Sequence, residues 1–149
     1  MELFVKKGAK VICLIRKSDK KFTKYVKKFK RKAVVIVSDI TDEKKLKNEI
    51  EKVLNKNNRL DILINNAGMA HGSIVELTSP KKLKEVFNTN FFSQIYLIQL
   101  VLKFLKKSKN FSIINMGSVS AKIPDRGTLA YGSSKSALMH ATKIMANEF

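Results

Sequence analysis

Four short apolar runs, KVICLI (10–15), AVVIV (33–37), LDILI (60–64) and FSIIN (111–115), set the limits on what this chain can become. None alternates apolar with polar residues, as a strand with one wet face would. Continuous apolar runs of this length, rich in Ile and Val, read as strands of a parallel sheet covered on both faces. Segments of helical periodicity separate them. Residues 18–31 carry Phe22, Val26 and Phe29 at helical spacing. A second helix opens on Thr41, with Asp42 and Glu43 in its first turn, and runs to about residue 55. A short helix passes Pro80, a long one covers about 84–107, and the last begins at Tyr131. Residues 1–7 read as the closing turns of a helix stopped by Gly8. Strand and helix alternate, which predicts an α/β, doubly wound parallel sheet in a single domain, 1–149. Right-handed crossovers bring all strand carboxyl ends to one edge, where such sheets bind ligands. Arg16, Asp39, Asn66 and Ser118 all follow strand ends.

The stretch NMGSVSAKIPDRGTLAYGSSK (115–135) brings chemistry to that edge. Ser118 stands three residues past the fourth run, Tyr131 thirteen further on, and Lys135 one helical turn beyond Tyr131, on the same helix face. A phenol ordinarily titrates near pH 10; an adjacent ammonium favours the phenolate and brings the group toward neutral-pH acid/base work. In a chain this rich in lysine a Tyr-x-x-x-Lys pair alone carries little weight. The Ser, Tyr and Lys together suggest proton transfer on a carbonyl or an alcohol.

Composition narrows the alternatives. The net charge is +18, but the lysines are spread in pairs over several elements (Lys6-Lys7, Lys27-Lys28, Lys44-Lys45, Lys106-Lys107), and no helix-turn-helix, zinc-finger or RNA-platform pattern accompanies them. This argues against a nucleic-acid partner. The lone Cys13 excludes an internal disulfide and, inside an apolar run, reads as a core thiol of a reducing compartment. Residues 91–105 are the most apolar stretch and are interrupted by Ser93, Gln94 and Lys103, too polar for a membrane span. The expectation is a cytoplasmic protein with no membrane partner and no metal site.

Taken together, Asn65-Asn66-Ala67-Gly68 after a strand, Asn90 in FNTNF, Ser118 in GSVSA and Tyr131-x-x-x-Lys135 make the chain resemble the short-chain dehydrogenases/reductases, nicotinamide-dependent oxidoreductases on a Rossmann-type fold. The resemblance implies Tyr131 as general acid/base, Lys135 as its electrostatic partner and a contact of the nicotinamide ribose, Ser118 on the substrate oxygen, and Asn90 as a helix kink holding a relay water. It also implies Asn66 beside the adenosine half of the cofactor and Asp39, with the backbone of Ile40, beside the adenine. An acid that would select NAD is replaced by Ile15, followed by Arg16 and Lys17, which favours NADP over NAD. The substrate would be a small carbonyl or alcohol, possibilities including that of a 3-oxoacyl-carrier-protein reductase. The helices near 84–107 and 131–149 would build a homo-oligomer, with Val101, Phe104 and Leu105 on one and Leu138, Met139 and Met145 on the other.

The departures from the family pattern are large. The glycine-rich turn Thr-Gly-x-x-x-Gly-x-Gly and the strand before it have no counterpart in the 149 residues, nor have the last two strands. The family's sheet order would make the absent strand the central one, leaving KVICLI and LDILI each short of a neighbour. Two expectations therefore stand side by side: an incomplete oxidoreductase of this family, completed by a further segment, or a non-catalytic remnant acting as an oligomer subunit.

Overall fold

The computed structural model describes all residues, 1–149. The chain divides into two compact units, residues 1–53 and 54–149. The first contains α1 (Glu2–Lys6), β1 (Val11–Ile15), α2 (Lys20–Lys27), β2 (Ala33–Val37) and the start of α3 (Glu43–Asn57). The second contains the end of α3, β3 (Ile62–Asn65), α4 (Pro80–Phe87), α5 (Ser93–Leu105), β4 (Ser112–Asn115) and α6 (Leu129–Glu148).

In the first unit β1 and β2 pair in parallel, from Val11 opposite Ala33 to Ile15 opposite Val37. Gly8 ends α1 with φ +92°, a backbone state open to glycine at little cost. The helix predicted from residue 18 begins two residues later. Asp19 is its cap, its carboxylate accepting the Phe22 N–H at 2.9 Å. Val5, Val26 and Ala33 are buried together, with Phe22, Phe29 and Val35 packed on them. Each of the two valines contributes about 1.5–3 kcal/mol by leaving water. The cap of α3 is likewise one residue beyond the predicted Thr41. The Asp42 carboxylate accepts from Lys45 N–H at 3.0 Å, while Thr41 is held by Asp39.

In the second unit β3 and β4 are parallel partners, Ile62 opposite Ser112 through Asn65 opposite Asn115. The chain thus has two two-stranded parallel sheets, β1 and β3 each having a partner strand on one edge only. Covering is less complete than the apolar runs predict. Ile62, Ile64 and Ile114, alternate residues of β3 and β4, are each more than two-fifths exposed.

The predicted long helix is three joined pieces. Ser79 caps α4, accepting from Lys82 N–H at 3.2 Å, and Pro80 sits at its first position. A π-helical segment, Asn88–Phe92, then leads into α5. One residue is added to the usual turn there, and such segments recur at functional sites. It carries Asn90. Val101, Phe104, Leu105 and Leu138 are buried to 2% exposure or less. That corrects their expected place on a subunit interface: they fill this chain's own core. No helix is long and apolar enough to cross a membrane.

Candidate active site

The β4 strand ends at Asn115, and the chain turns through Ser118 into a short 3-10 turn, Val119–Ala121. That turn is seated on α6 by two features. Ser136 donates its hydroxyl to the Ala121 carbonyl at 2.7 Å. Gly132 lies under the Ser120 carbonyl so closely that a Cβ would stand 2.8 Å from that oxygen. A helix interior ordinarily favours Ala over Gly by about 1 kcal/mol. Here overlap with backbone oxygen outweighs propensity, since overpacking costs about 1–3 kcal/mol. Gly132→Ala is expected to lower stability by about 1 kcal/mol net and to lift the Ser118 turn off the helix. A thermal melt reads this, and a raised midpoint would show that the turn is not so seated.

Ser118 is half-buried, and its Oγ accepts the Ser120 N–H at 3.2 Å. Tyr131, in the first turn of α6, is half-buried, and its hydroxyl has no protein partner. Lys135 is only 3% exposed, its Nζ donating to the Met116 carbonyl at 2.7 Å. Burial holds the Lys135 ammonium below its ordinary pKa of 10.5, while the adjacent Tyr131 acts in the opposite direction. The unfolded chain therefore binds this proton more tightly. Across the interval between the folded value and 10.5, stability rises with pH, and below that interval the burial cost is present in full. Lys135→Met is expected to stabilise the fold at pH 7 by about 1 kcal/mol, roughly 2–4 °C in melting temperature. The gain should shrink toward pH 10.5. A melting temperature lowered at every pH would mean that the bond to Met116 outweighs desolvation.

Asn90 is fully buried. Its Oδ1 accepts from Met69 N–H at 2.7 Å, and its Nδ2 donates to the Met69 carbonyl and to Ser134 Oγ, both at 2.9 Å. Gly68 joins this group to Lys135. A Cβ there would stand 3.5 Å from Asn90 Oδ1 and 3.7 Å from Lys135 Nζ. Asn66, one residue beyond β3, is exposed. Its neighbour Asn65 is buried and donates to Asn115 Oδ1 at 2.8 Å, while Asn115 donates to Thr142 at 2.8 Å. The period of two along a strand separates them, Asn65 inward and Asn66 outward.

The remaining expected residues belong to the first unit. Arg16 is exposed after β1, and Ile40 is buried after β2. Asp39 Oδ1 accepts from both Thr41 N–H (2.9 Å) and Thr41 Oγ1 (2.8 Å). These bonds, the backbone one foremost, hold its carboxyl below the usual range against the effect of burial; the charge of nearby Arg16 assists. Residues 118, 131 and 135 are thus carried by one turn and one helix, Asn90 and Lys135 both lie beside Gly68, and Arg16 neighbours Asp39. Reading the sequence missed Ser134, Gly132 and Gln94, whose Nε2 donates to the Ala67 carbonyl at 2.6 Å. The small residues 132, 134 and 136 on α6 were the available signal for two of them.

Parallel strands alternating with helices, with a polar cluster beyond the carboxyl ends of β3 and β4, define an α/β fold of the Rossmann-like class. The family model described as short chain dehydrogenase matches residues 1–149, and the chain belongs to that family. It is 32% identical over 119 residues to the 3-ketodihydrosphingosine reductase of Bacteroides thetaiotaomicron, covering 78% of this chain and 44% of that protein. It is 29% identical over 148 residues to the 3-oxoacyl-[acyl-carrier-protein] reductase FabG of Thermotoga maritima, covering 98% of this chain and 60% of that protein. The structure of ElxO with NADP bound superposes with a TM-score of 0.86 at 26% identity, over 99% of this chain and 60% of that one. The chain spans about half the length of the curated relatives it matches.

Proposed function

We propose that this chain carries the proton-transfer centre of an NADP(H)-dependent carbonyl reductase, acting on a 3-oxoacyl or similar small ketone and reversibly on the alcohol. The observation that carries the reading is the buried Lys135 beside Tyr131, joined through Gly68 to Asn90. Tyr131 gives its phenolic proton to the carbonyl oxygen as the alcohol forms. Lys135 supports the negative charge left on Tyr131. Ser118 donates its hydroxyl proton to the substrate oxygen while its Oγ goes on accepting from Ser120 N–H. Asn90, carried by the π segment, holds the loop after β3 at Met69 and bonds Ser134 of α6.

The residues fit the nicotinamide end of the cofactor. Lys135 Nζ has one protein acceptor and two N–H groups left for ribose hydroxyls. Gly68 keeps open the approach to Asn90 and Lys135 that a side chain would fill. In the first unit, the exposed Arg16 and the absence of an acid at Ile15 support a 2′-phosphate, hence NADP. Asp39 and the Ile40 backbone, in the same unit, would border the adenine. When bound, NADP(H) supplies or accepts the hydride. Both relatives named above carry a 3-keto or 3-oxo group in their names, which supports that substrate class. A homo-oligomer and a location in the cytoplasm remain part of the proposal.

The test is a chimera in which residues 1–149 replace the matching segment of the Thermotoga reductase. It is expected to oxidise NADPH only when a 3-oxoacyl thioester is present, and to favour NADPH over NADH. A folded chimera that binds NADPH but reduces no ketone would sink the reading.

A further inference from the structure

We infer that Ser134 is a positioning residue for the proposed reaction, tying the loop after β3 to the turn of α6 that carries Tyr131 and Lys135. The inference rests on the function proposed above for those two residues. A serine inside a helix often bonds back to a carbonyl one turn earlier, and Ser134 does so, donating to the Tyr131 carbonyl at 2.7 Å. That bond uses its only proton. The same oxygen then accepts from Asn90 Nδ2, 44 positions away in sequence, at 2.9 Å. This second bond is not part of any local helix habit.

With it both N–H groups of the Asn90 amide are employed, one on Ser134 and one on the Met69 carbonyl, while its Oδ1 accepts from Met69 N–H. Asn90 and Ser134 are both fully buried, so no solvent replaces a lost partner, and an unpaired group there is destabilising. A continuous chain of bonds thus runs from the Met69 backbone through the π segment to the carbonyl of Tyr131. Its midpoint lies beside Gly68, against which both Asn90 Oδ1 and Lys135 Nζ stand. Ser134 sits between Tyr131 and Lys135 on α6 and touches neither reacting group. It acts by fixing where that turn stands relative to residues 67–69.

Amide hydrogen exchange in the 149-residue chain tests this without cofactor or substrate. The Met69 N–H is held by Asn90 Oδ1, so Ser134→Ala should speed its exchange at least tenfold while the Val101 amide in the core of α5 changes by less than twofold. Ser134→Thr, which keeps the hydroxyl, should restore protection. Should the added methyl of Thr not be accommodated, Asn90→Ala serves instead: adding Ser134→Ala to it should not accelerate Met69 further. In the chimera, Ser134→Ala should lower kcat about tenfold with KM for the ketone within twofold. Unchanged Met69 exchange, acceleration of all amides together, or undiminished kcat would each overturn the inference. The Tyr131→Phe chimera separates the two ideas, because full turnover there would defeat the function reading while the exchange result still judges the role of Ser134.

Discussion

Tyr131→Phe in the chimera is expected to lower kcat for ketone reduction by about a thousandfold, with KM changed little. The substitution removes one oxygen and leaves the ring. The fold around it does not depend on that oxygen: the hydroxyl has no protein partner, while α6 is registered by Gly132 under Ser120, Ser136 on Ala121 and Ser134 on Asn90. Any loss therefore reads chemistry rather than unfolding. A positioned general acid contributes about 10²–10⁴-fold, and a group acting only in the transition state lowers kcat and kcat/KM together. Stopped-flow NADPH oxidation on matched protein measures it. Turnover within tenfold of the parent would mean that the proton comes from elsewhere, for instance from solvent through the exposed face beside Ser118, and the proposed role of Tyr131 would fall.

What could be read from sequence follows the range of the interactions involved. The four strands were visible because each is a local apolar run, and AVVIV coincides with β2 residue for residue. Helix starts moved by one or two residues because capping is decided by a single side chain: Asp19 and Asp42 took positions that the neighbouring Ser18 and Thr41 could also have filled. The break at Asn88–Phe92 could not be read from periodicity, since a π segment inserts one residue and leaves the apolar spacing on either side nearly intact. Val101, Phe104, Leu105 and Leu138 show the main limit. Hydrophobicity says that a residue leaves water, not whether its own chain or a second copy covers it, and here the chain's own core does. Tyr131, Lys135, Asn90 and Ser118 were found as motif members. Ser134 was not, because its role depends on a partner 44 positions away.

The 149-residue chain by itself is expected to bind NADPH only above about millimolar and to show no measurable turnover, although it contains Ser118, Tyr131, Asn90 and Lys135. The reason lies in how a pyrophosphate is held. The family's glycine turn brings backbone N–H groups to the phosphates at a helix N-terminus, and side chains there would block the approach. The six glycines of this chain stand elsewhere. Gly8 stops α1, Gly68 lies against Asn90 and Lys135, Gly127 with φ +80° turns the chain before α6, and Gly132 packs under Ser120, while Gly72 and Gly117 meet no neighbour. The starts of α2, α3 and α4 are occupied by Asp19, Asp42 and Ser79, two of them carboxylates that would repel a phosphate. Losing that cradle takes a micromolar site to millimolar, about 4 kcal/mol. Catalysis also requires the reacting groups to be held together, a contribution of about 7–11 kcal/mol that a proton donor cannot replace. Nicotinamide fluorescence during an NADPH titration reads the binding directly. Saturable micromolar binding by the chain alone would show that Lys135 and its neighbours hold the cofactor without the glycine turn. Binding regained when a strand and glycine turn are supplied, as in the chimera, locates the deficit in the cradle. A folded chimera that neither binds nor turns over would instead favour the remnant reading, with Lys135 and Tyr131 kept in geometry but without a reaction to serve.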